Sequence, residues 1–188
     1  EQVCLRQFQP GFTGPGSFAE FVALRYADRN LVAVPPSVEM ATGATLGCRF
    51  ATSFRAVVDQ GRISEGEWVA VYGCGGVGLA ALMIARASGA HVVAIDPDPE
   101  ARSRASSLGA DAAIGEALHD DIVESVQTVT GGGAHLSIDA VGHPQVMASS
   151  VASLRPRGRH VQVGLLPAPT TPVPMGAVIG RELEILGS

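Results

Sequence analysis

The thirteen residues Gly66-Glu67-Trp68-Val69-Ala70-Val71-Tyr72-Gly73-Cys74-Gly75-Gly76-Val77-Gly78 constrain the fold of this chain more than any other segment. They read as a turn, a buried strand, and then glycines at 73, 75 and 78 in a Gly-x-Gly-x-x-Gly spacing. A helical run follows from Val77 to Ser88 and stops at Gly89. A second strand, His91 to Ile95, ends in Asp96. Each part suits the holding of a dinucleotide. Gly73 allows a tight turn, Gly75 lets backbone approach a pyrophosphate, and Gly78 lets the helix pack closely on the strand. Gly76 and Val77 complete the loop, where unpaired N–H groups at a helix N-terminus favour negative charge. Asp96 follows about 20 residues beyond the loop, where a carboxylate can accept both adenosine-ribose hydroxyls.

Glycine spacing alone is weak in a chain with 23 glycines. The strand before it, the helix after it and the terminal acid all agree with the dinucleotide reading. Two rivals share part of the pattern. One is a helix start whose glycines serve only packing. The other is an S-adenosylmethionine methyltransferase, which also uses a glycine loop and an acid after its second strand.

A length of 188 residues suits one domain, or one domain and part of another. A hydrophobic share of 46% and a charged share of 16% describe a soluble chain able to fill a core. The net charge of −5, with no basic run, argues against nucleic acid as a partner. No apolar run approaches the ~18 residues that span a bilayer, and the first residues lack the form of a signal peptide. Cys4, Cys48 and Cys74 make no disulfide framework and fit a reducing cytoplasm. None is spaced as a local chelate.

Residues 1 to 36 carry Gly and Pro punctuation and two short strand-like pieces, Ser17 to Leu24 and Leu31 to Val34. Helices are expected from Ser37 to Thr45 and from about Gly47 to Gln60. From Trp68 onward strands are expected at 68–72, 91–95, 112–114, 136–140 and 159–163, with helices at 77–88, 99–108, 120–130 and 144–154. Leu183 to Leu186 supplies a sixth strand, and the Pro-rich stretch 167–174 a surface loop. This is the βαβ rhythm of a doubly wound parallel α/β sheet. The ends of the fourth strand, at Asp139 to Gly142, and of the fifth, at Val163 to Leu165, are then expected to face the ligand.

The motif Gly66-Glu-x-Val-x-Val-x-Gly-x-Gly-Gly-Val-Gly78 resembles the zinc-dependent alcohol dehydrogenases of the medium-chain dehydrogenase/reductase superfamily. So do Gly16-Ser17-Phe18-Ala19-Glu20-Phe21, Leu46-Gly47-Cys48-Arg49-Phe50-Ala51-Thr52 and Ser107-Leu108-Gly109-Ala110-Asp111. The resemblance covers essentially the whole chain and corresponds to about the middle half of such enzymes. It implies a Rossmann domain at residues 51–188, preceded at 1–50 by the tail of a β-rich GroES-like catalytic domain. It implies NAD and zinc as cofactors, with Cys48 as one catalytic-zinc ligand and the others outside this chain. Cys4 would be the last of four cysteines on a structural zinc, or a free thiol. Cys74 holds a variable position. Thr52 would lie at the nicotinamide, and if it and Cys48 share one helix they face the same way. Backbone near Ala140, Val163, Leu165 and Ser188 would meet the nicotinamide end.

Asp96 favours NAD over NADP, because a carboxylate repels a 2′-phosphate. The family often carries a basic residue five positions beyond this acid, and here Ala101 stands there with Arg102 beside it. The five histidines read as surface or strand-edge residues. The resulting expectation is a cytoplasmic zinc enzyme moving hydride between an alcohol or aldehyde and NAD, a dimer or tetramer when intact, and inactive as these residues alone. A zinc-free quinone or enoyl reductase of the same superfamily, the methyltransferase, and a non-catalytic NAD-binding module are the alternatives.

Overall fold

Short apolar runs bounded by glycine turns become the interior strands of one parallel sheet. In the computed structural model, which describes residues 3–115, 119–167 and 170–188, the strands are β1 (Trp68–Tyr72), β2 (His91–Ile95), β3 (Ala112–Ile114), β4 (Ala134–Asp139), β5 (Leu154–Gln162) and β6 (Glu184–Gly187). Their order is β3-β2-β1-β4-β5-β6, and every neighbouring pair is parallel. From β1 the chain winds outward to β3, then returns to place β4 on the other side of β1. The reversal lies between β1 and β4, where open α/β sheets leave a crevice at the strand ends.

Alternate side chains of each strand enter opposite apolar layers, as the two-residue strand period requires. Val69, Val71, Val92, Ala94, Leu136, Ile138 and Val161 join one layer with α4 (Gly76–Ala87) and α5 (Pro99–Ser107). Ala70, Tyr72, Val93 and Ile95 face the other layer, with residues of α6 (His119–Thr130) and α7 (Pro144–Ala152). This is the doubly wound α/β (Rossmann-like) sheet, its strands matched within a residue or two for all but β5. The fifth strand starts five residues earlier than expected because Arg155, Pro156 and Arg157 are exposed and show no apolar run. Between β5 and β6 lies a short helix, α8 (Met175–Arg181). Residues 168 and 169 of the expected Pro-rich loop lie outside the described residues.

The segment before the sheet corrects two expectations. Helix α2 (Met40–Thr45) begins three residues late and runs into a π-helical turn, Leu46–Phe50. Then come α3 (Ala51–Phe54) and a second π-helical segment, Arg55–Gln60. A π turn closes i→i+5 bonds, so the four-residue spacing of Cys48 and Thr52 does not stack them as one α-helix would.

The chain divides into two compact units, Glu1–Glu39 and Met40–Ser188. Among its described residues the first unit has one short helix, α1 (Ala27–Asn30), and a single isolated bridge between Pro10 and Gly14. Neither expected strand forms, and the β-rich, GroES-like character expected of this part is not seen. Phe18 and Phe21 stand exposed. Without a ladder partner, an extended segment leaves its N–H and C=O groups to water and gains no sheet. No helix among the described residues is long and apolar enough to cross a membrane.

One histidine contradicts the surface reading. His160, in the interior strand β5, is fully buried, and burial pushes its imidazole below the ordinary value of 6.5. An unfolded chain protonates this group near 6.5, while the folded chain resists until lower pH. Its contribution to stability is therefore complete above pH 6.5 and is lost as pH falls toward the depressed value. Urea unfolding measured from pH 8 to pH 5 is expected to show falling stability, with a shallower fall in His160→Gln.

Candidate functional site

Gly78 sits in the first turn of α4 with its Cα against β1, and an added Cβ would overlap the carbonyl oxygen of Gly73. That contact permits α4 to point its N-terminus at the crevice beside β1. Gly73 itself adopts φ +89°, a conformation that favours glycine, and its N–H donates to Ile95 O at 2.8 Å. Gly75 is the residue before the helix, and no atom lies within 4 Å of where its Cβ would stand. The first N–H groups of α4 have no acceptor within the helix. The outer face of the loop is thus open, backbone-lined and electropositive, as an anion requires.

Asp96 is bonded into this loop. Its Oδ2 accepts from Cys74 N at 2.7 Å and its Oδ1 from Asp98 N at 2.9 Å. Each oxygen keeps a further lone pair for a hydroxyl donor. Arg102 donates from Nη1 to Asp96 O and Pro97 O, each at 2.8 Å, which holds its guanidinium beside the end of β2. Ala101 points into the apolar layer instead. Asp98 caps α5 by accepting from Glu100 N.

Cys74 lies beneath the loop, 2% exposed. Burial and then the negative charge of Asp96 push its thiol up to about 11. Cys48 is exposed in the π turn, and Cys4 is exposed in the first unit. Among the described residues, no three His, Cys, Asp or Glu side chains gather as a cation site. Cys48 therefore offers one donor where a catalytic zinc needs three from protein, and this chain's described residues do not hold the metal by themselves.

At the other end of the crevice, Ser188 N donates to Gln162 O at 3.1 Å, and Ser188 Oγ donates to Thr52 O at 3.3 Å. The structure thus brings Thr52, the end of β5 with Val163, and Ser188 together. Ala140 N continues the β4 pairing by donating to Tyr72 O at 2.9 Å. Leu165 projects into solvent, 92% exposed. The turns after β4 and β5 touch at Gly142 and Gly164, where a Cβ on either would overlap backbone of the other turn.

Two further residues border the site. Arg49 lies across Gly76: a Cβ there would stand 2.8 Å from Arg49 Cδ and 3.1 Å from Nη1. Its guanidinium makes no side-chain hydrogen bond or ion pair among the described residues. A cation at the positive end of a helix is unfavourable unless an anion joins it. The buried Ser53 hydroxyl stands 2.8 Å from both Arg49 O and Val77 O, tying the π turn to the start of α4. The other is Gln162, bonded to the carboxylate of Asp139. Arg49 lies within the Leu46–Thr52 motif, where its place directly after Cys48 was the available signal; Gln162 belongs to no motif.

A six-stranded doubly wound sheet with a glycine loop at the β1/β4 switch point and an acid at the end of β2 defines a coenzyme-type α/β domain. The family model for zinc-binding dehydrogenases matches residues 76–188. A geraniol dehydrogenase of Castellaniella defragrans is 39% identical over 88% of this chain and 44% of its own length. An alcohol dehydrogenase of Geobacillus stearothermophilus is 32% identical over 100% of this chain and 54% of its own. Among solved structures, the alcohol dehydrogenase TADH from Thermus sp. ATN1 superposes with a TM-score of 0.85 at 31% identity, covering 92% of this chain and 50% of that one. The chain belongs to the zinc-binding dehydrogenase family, and it spans about half the length of the curated relatives it matches.

A thiol reagent at pH 8 is expected to label Cys4 and Cys48 rapidly in the native chain. Cys74, buried and weakly acidic, is expected to react only after denaturation. Rapid labelling of all three thiols would show that the glycine loop opens.

Proposed function

We propose that this chain carries the coenzyme-binding part of an NAD-linked, zinc-dependent alcohol dehydrogenase, within an enzyme that moves hydride between an alcohol or aldehyde and NAD. The observation that carries this reading is the bond from Cys74 N to Asp96 Oδ2, 2.7 Å long. It makes the phosphate-facing loop and the ribose-facing acid one rigid unit, beside an open position at Gly75. The family and its alcohol dehydrogenase relatives support the reaction class.

In this reading the N–H groups of Gly75, Gly76, Val77 and Gly78 and the guanidinium of Arg49 face the coenzyme diphosphate. Asp96 accepts the adenosine-ribose hydroxyls and repels a 2′-phosphate, while Arg102 steadies the backbone at Asp96. Thr52, Val163, Leu165 and Ser188, with Ala140 nearby, border the nicotinamide. Nicotinamide supplies the hydride chemistry; the protein supplies placement and electrostatics. Cys48 is one candidate zinc thiolate, to be completed by residues other than those described. Residues 1–50 are assigned to the catalytic domain and 51–188 to the coenzyme domain. A cytoplasmic homo-oligomer fits the reading, with β6 at the sheet edge as a surface for pairing.

Titration with NADH, NADPH and S-adenosylmethionine, read by Trp68 fluorescence, tests the assignment. Saturable NADH binding with much weaker NADPH binding is expected. Asp96→Gly is expected to weaken NADH about tenfold, or about 1.4 kcal/mol, and to narrow its margin over NADPH. Binding of S-adenosylmethionine alone would overturn the reading.

A further inference from the structure

A polar chain of buried and half-buried side chains runs along β4 and β5 to the crevice. Asp139, fully buried at the end of β4, accepts through Oδ1 from Val141 N at 2.8 Å and Gly142 N at 2.9 Å. Its Oδ2 accepts from Gln162 Nε2 at 2.9 Å, and the same amide nitrogen donates to Gly164 O at 2.7 Å. Asp139 O also accepts from Val163 N and Gly164 N. One carboxylate and one amide therefore fix both turns that touch at Gly142 and Gly164.

The orientation of the amide settles the rest of the chain. With Nε2 of Gln162 facing two acceptors, its Oε1 must accept, and the donor 3.2 Å away is His160 Nε2. His160 Nδ1 is then the acceptor, facing the hydroxyls of Ser150 at 3.0 Å and Ser137 at 3.2 Å. Burial, which disfavours the charged imidazole, agrees with this neutral tautomer. Val141, held by Asp139, is in turn the neighbour that a Cβ on Gly73 would meet at 2.6 Å.

We propose that Gln162 is a positioning residue which, with Asp139 and His160, holds the turns after β4 and β5 in the geometry that receives the nicotinamide half of the coenzyme. The proposal rests on the dinucleotide reading above. Gln162 acts through the Val163–Leu165 turn and, by way of Asp139, through Val141 and Gly142. The loop around Gly75 and the acid Asp96 are fixed by their own bonds to β2 and α4, so the adenosine half does not depend on it.

NADH and ADP-ribose distinguish the two halves, since ADP-ribose lacks nicotinamide. In the full chain, Gln162→Leu leaves Asp139 Oδ2 and the Gly164 carbonyl without this donor. It is expected to weaken NADH about tenfold and ADP-ribose less than about twofold. Gln162→Glu keeps the shape but sets a second carboxylate against Asp139. The ionisable groups facing this position are Asp139 on β4 and His160 on β5, with the phenol of Tyr72 on β1 beside Asp139. A protonated glutamic acid restores the donor and an ionised one repels Asp139. NADH affinity of Gln162→Glu is therefore expected near the wild-type value at pH 5.5 and well below it at pH 8, while Gln162→Leu stays low at both.

Equal loss of NADH and ADP-ribose would overturn the proposal in favour of general damage to the sheet. Unchanged NADH affinity in Gln162→Leu would overturn it directly and leave the dinucleotide reading standing. Wild-type chain that binds neither ligand would overturn both.

Discussion

The close approach of α4 to β1 is the constraint on which the rest depends. Gly78 meets the Gly73 carbonyl without a side chain between them, and only that separation lets the helix axis aim into the β1/β4 crevice. The direction of α4 sets where its free N–H groups point. The turn that precedes it sets the height of Cys74 N, and that N–H fixes the carboxylate of Asp96. A methyl group at residue 78 would tilt the helix and move the anion-facing end and the acid together. Geometry at one glycine is thereby passed to a charge on the next strand.

Charge in the site is arranged by sign along its length. The helix end and Arg49 are positive, whereas the end of β2 presents Asp96. The negative ends of the crevice are kept inside: Asp139 is fully buried and spends its oxygens on Val141, Gly142 and Gln162. An anion approaching the loop therefore meets donors, while the half-buried carboxylate of Asp96 lies where hydroxyl groups are wanted.

The strands β1, β2 and β3 were legible because turns bound short apolar runs, and neighbouring strands supply every ladder partner within the chain. The same signal misled at Ser17 to Leu24, which alternates, and at the apolar Leu31 to Val34, because no strand among the described residues pairs with either. β5 was half legible: its apolar end was visible, but it starts at Leu154, paired with Ala134, and the exposed Arg155, Pro156 and Arg157 fall in a register shift before pairing resumes at Arg159. In the site, the glycine loop and Asp96 carry spacing that local chemistry demands, so they could be read directly. His160 could not, because a histidine in a strand shows neither its face nor its partners. Arg49 reaches Gly76 only through a π turn, and no four-residue period anticipates one.

The sheet order has a consequence for how the chain comes together. β1, β2 and β3 are consecutive, so their pairing closes short loops and can begin as soon as they exist. The crevice, however, is bounded by β1 and β4, and β4 arrives only after two intervening strands and three helices. Closing that longer loop costs more chain entropy before its contacts repay it. Until it closes, β1 presents an open, apolar edge along Val69 to Tyr72. The central strand of the finished sheet is thus an edge strand for much of its assembly, and the interval before β4 docks is the period when this chain is most exposed to pairing with another copy.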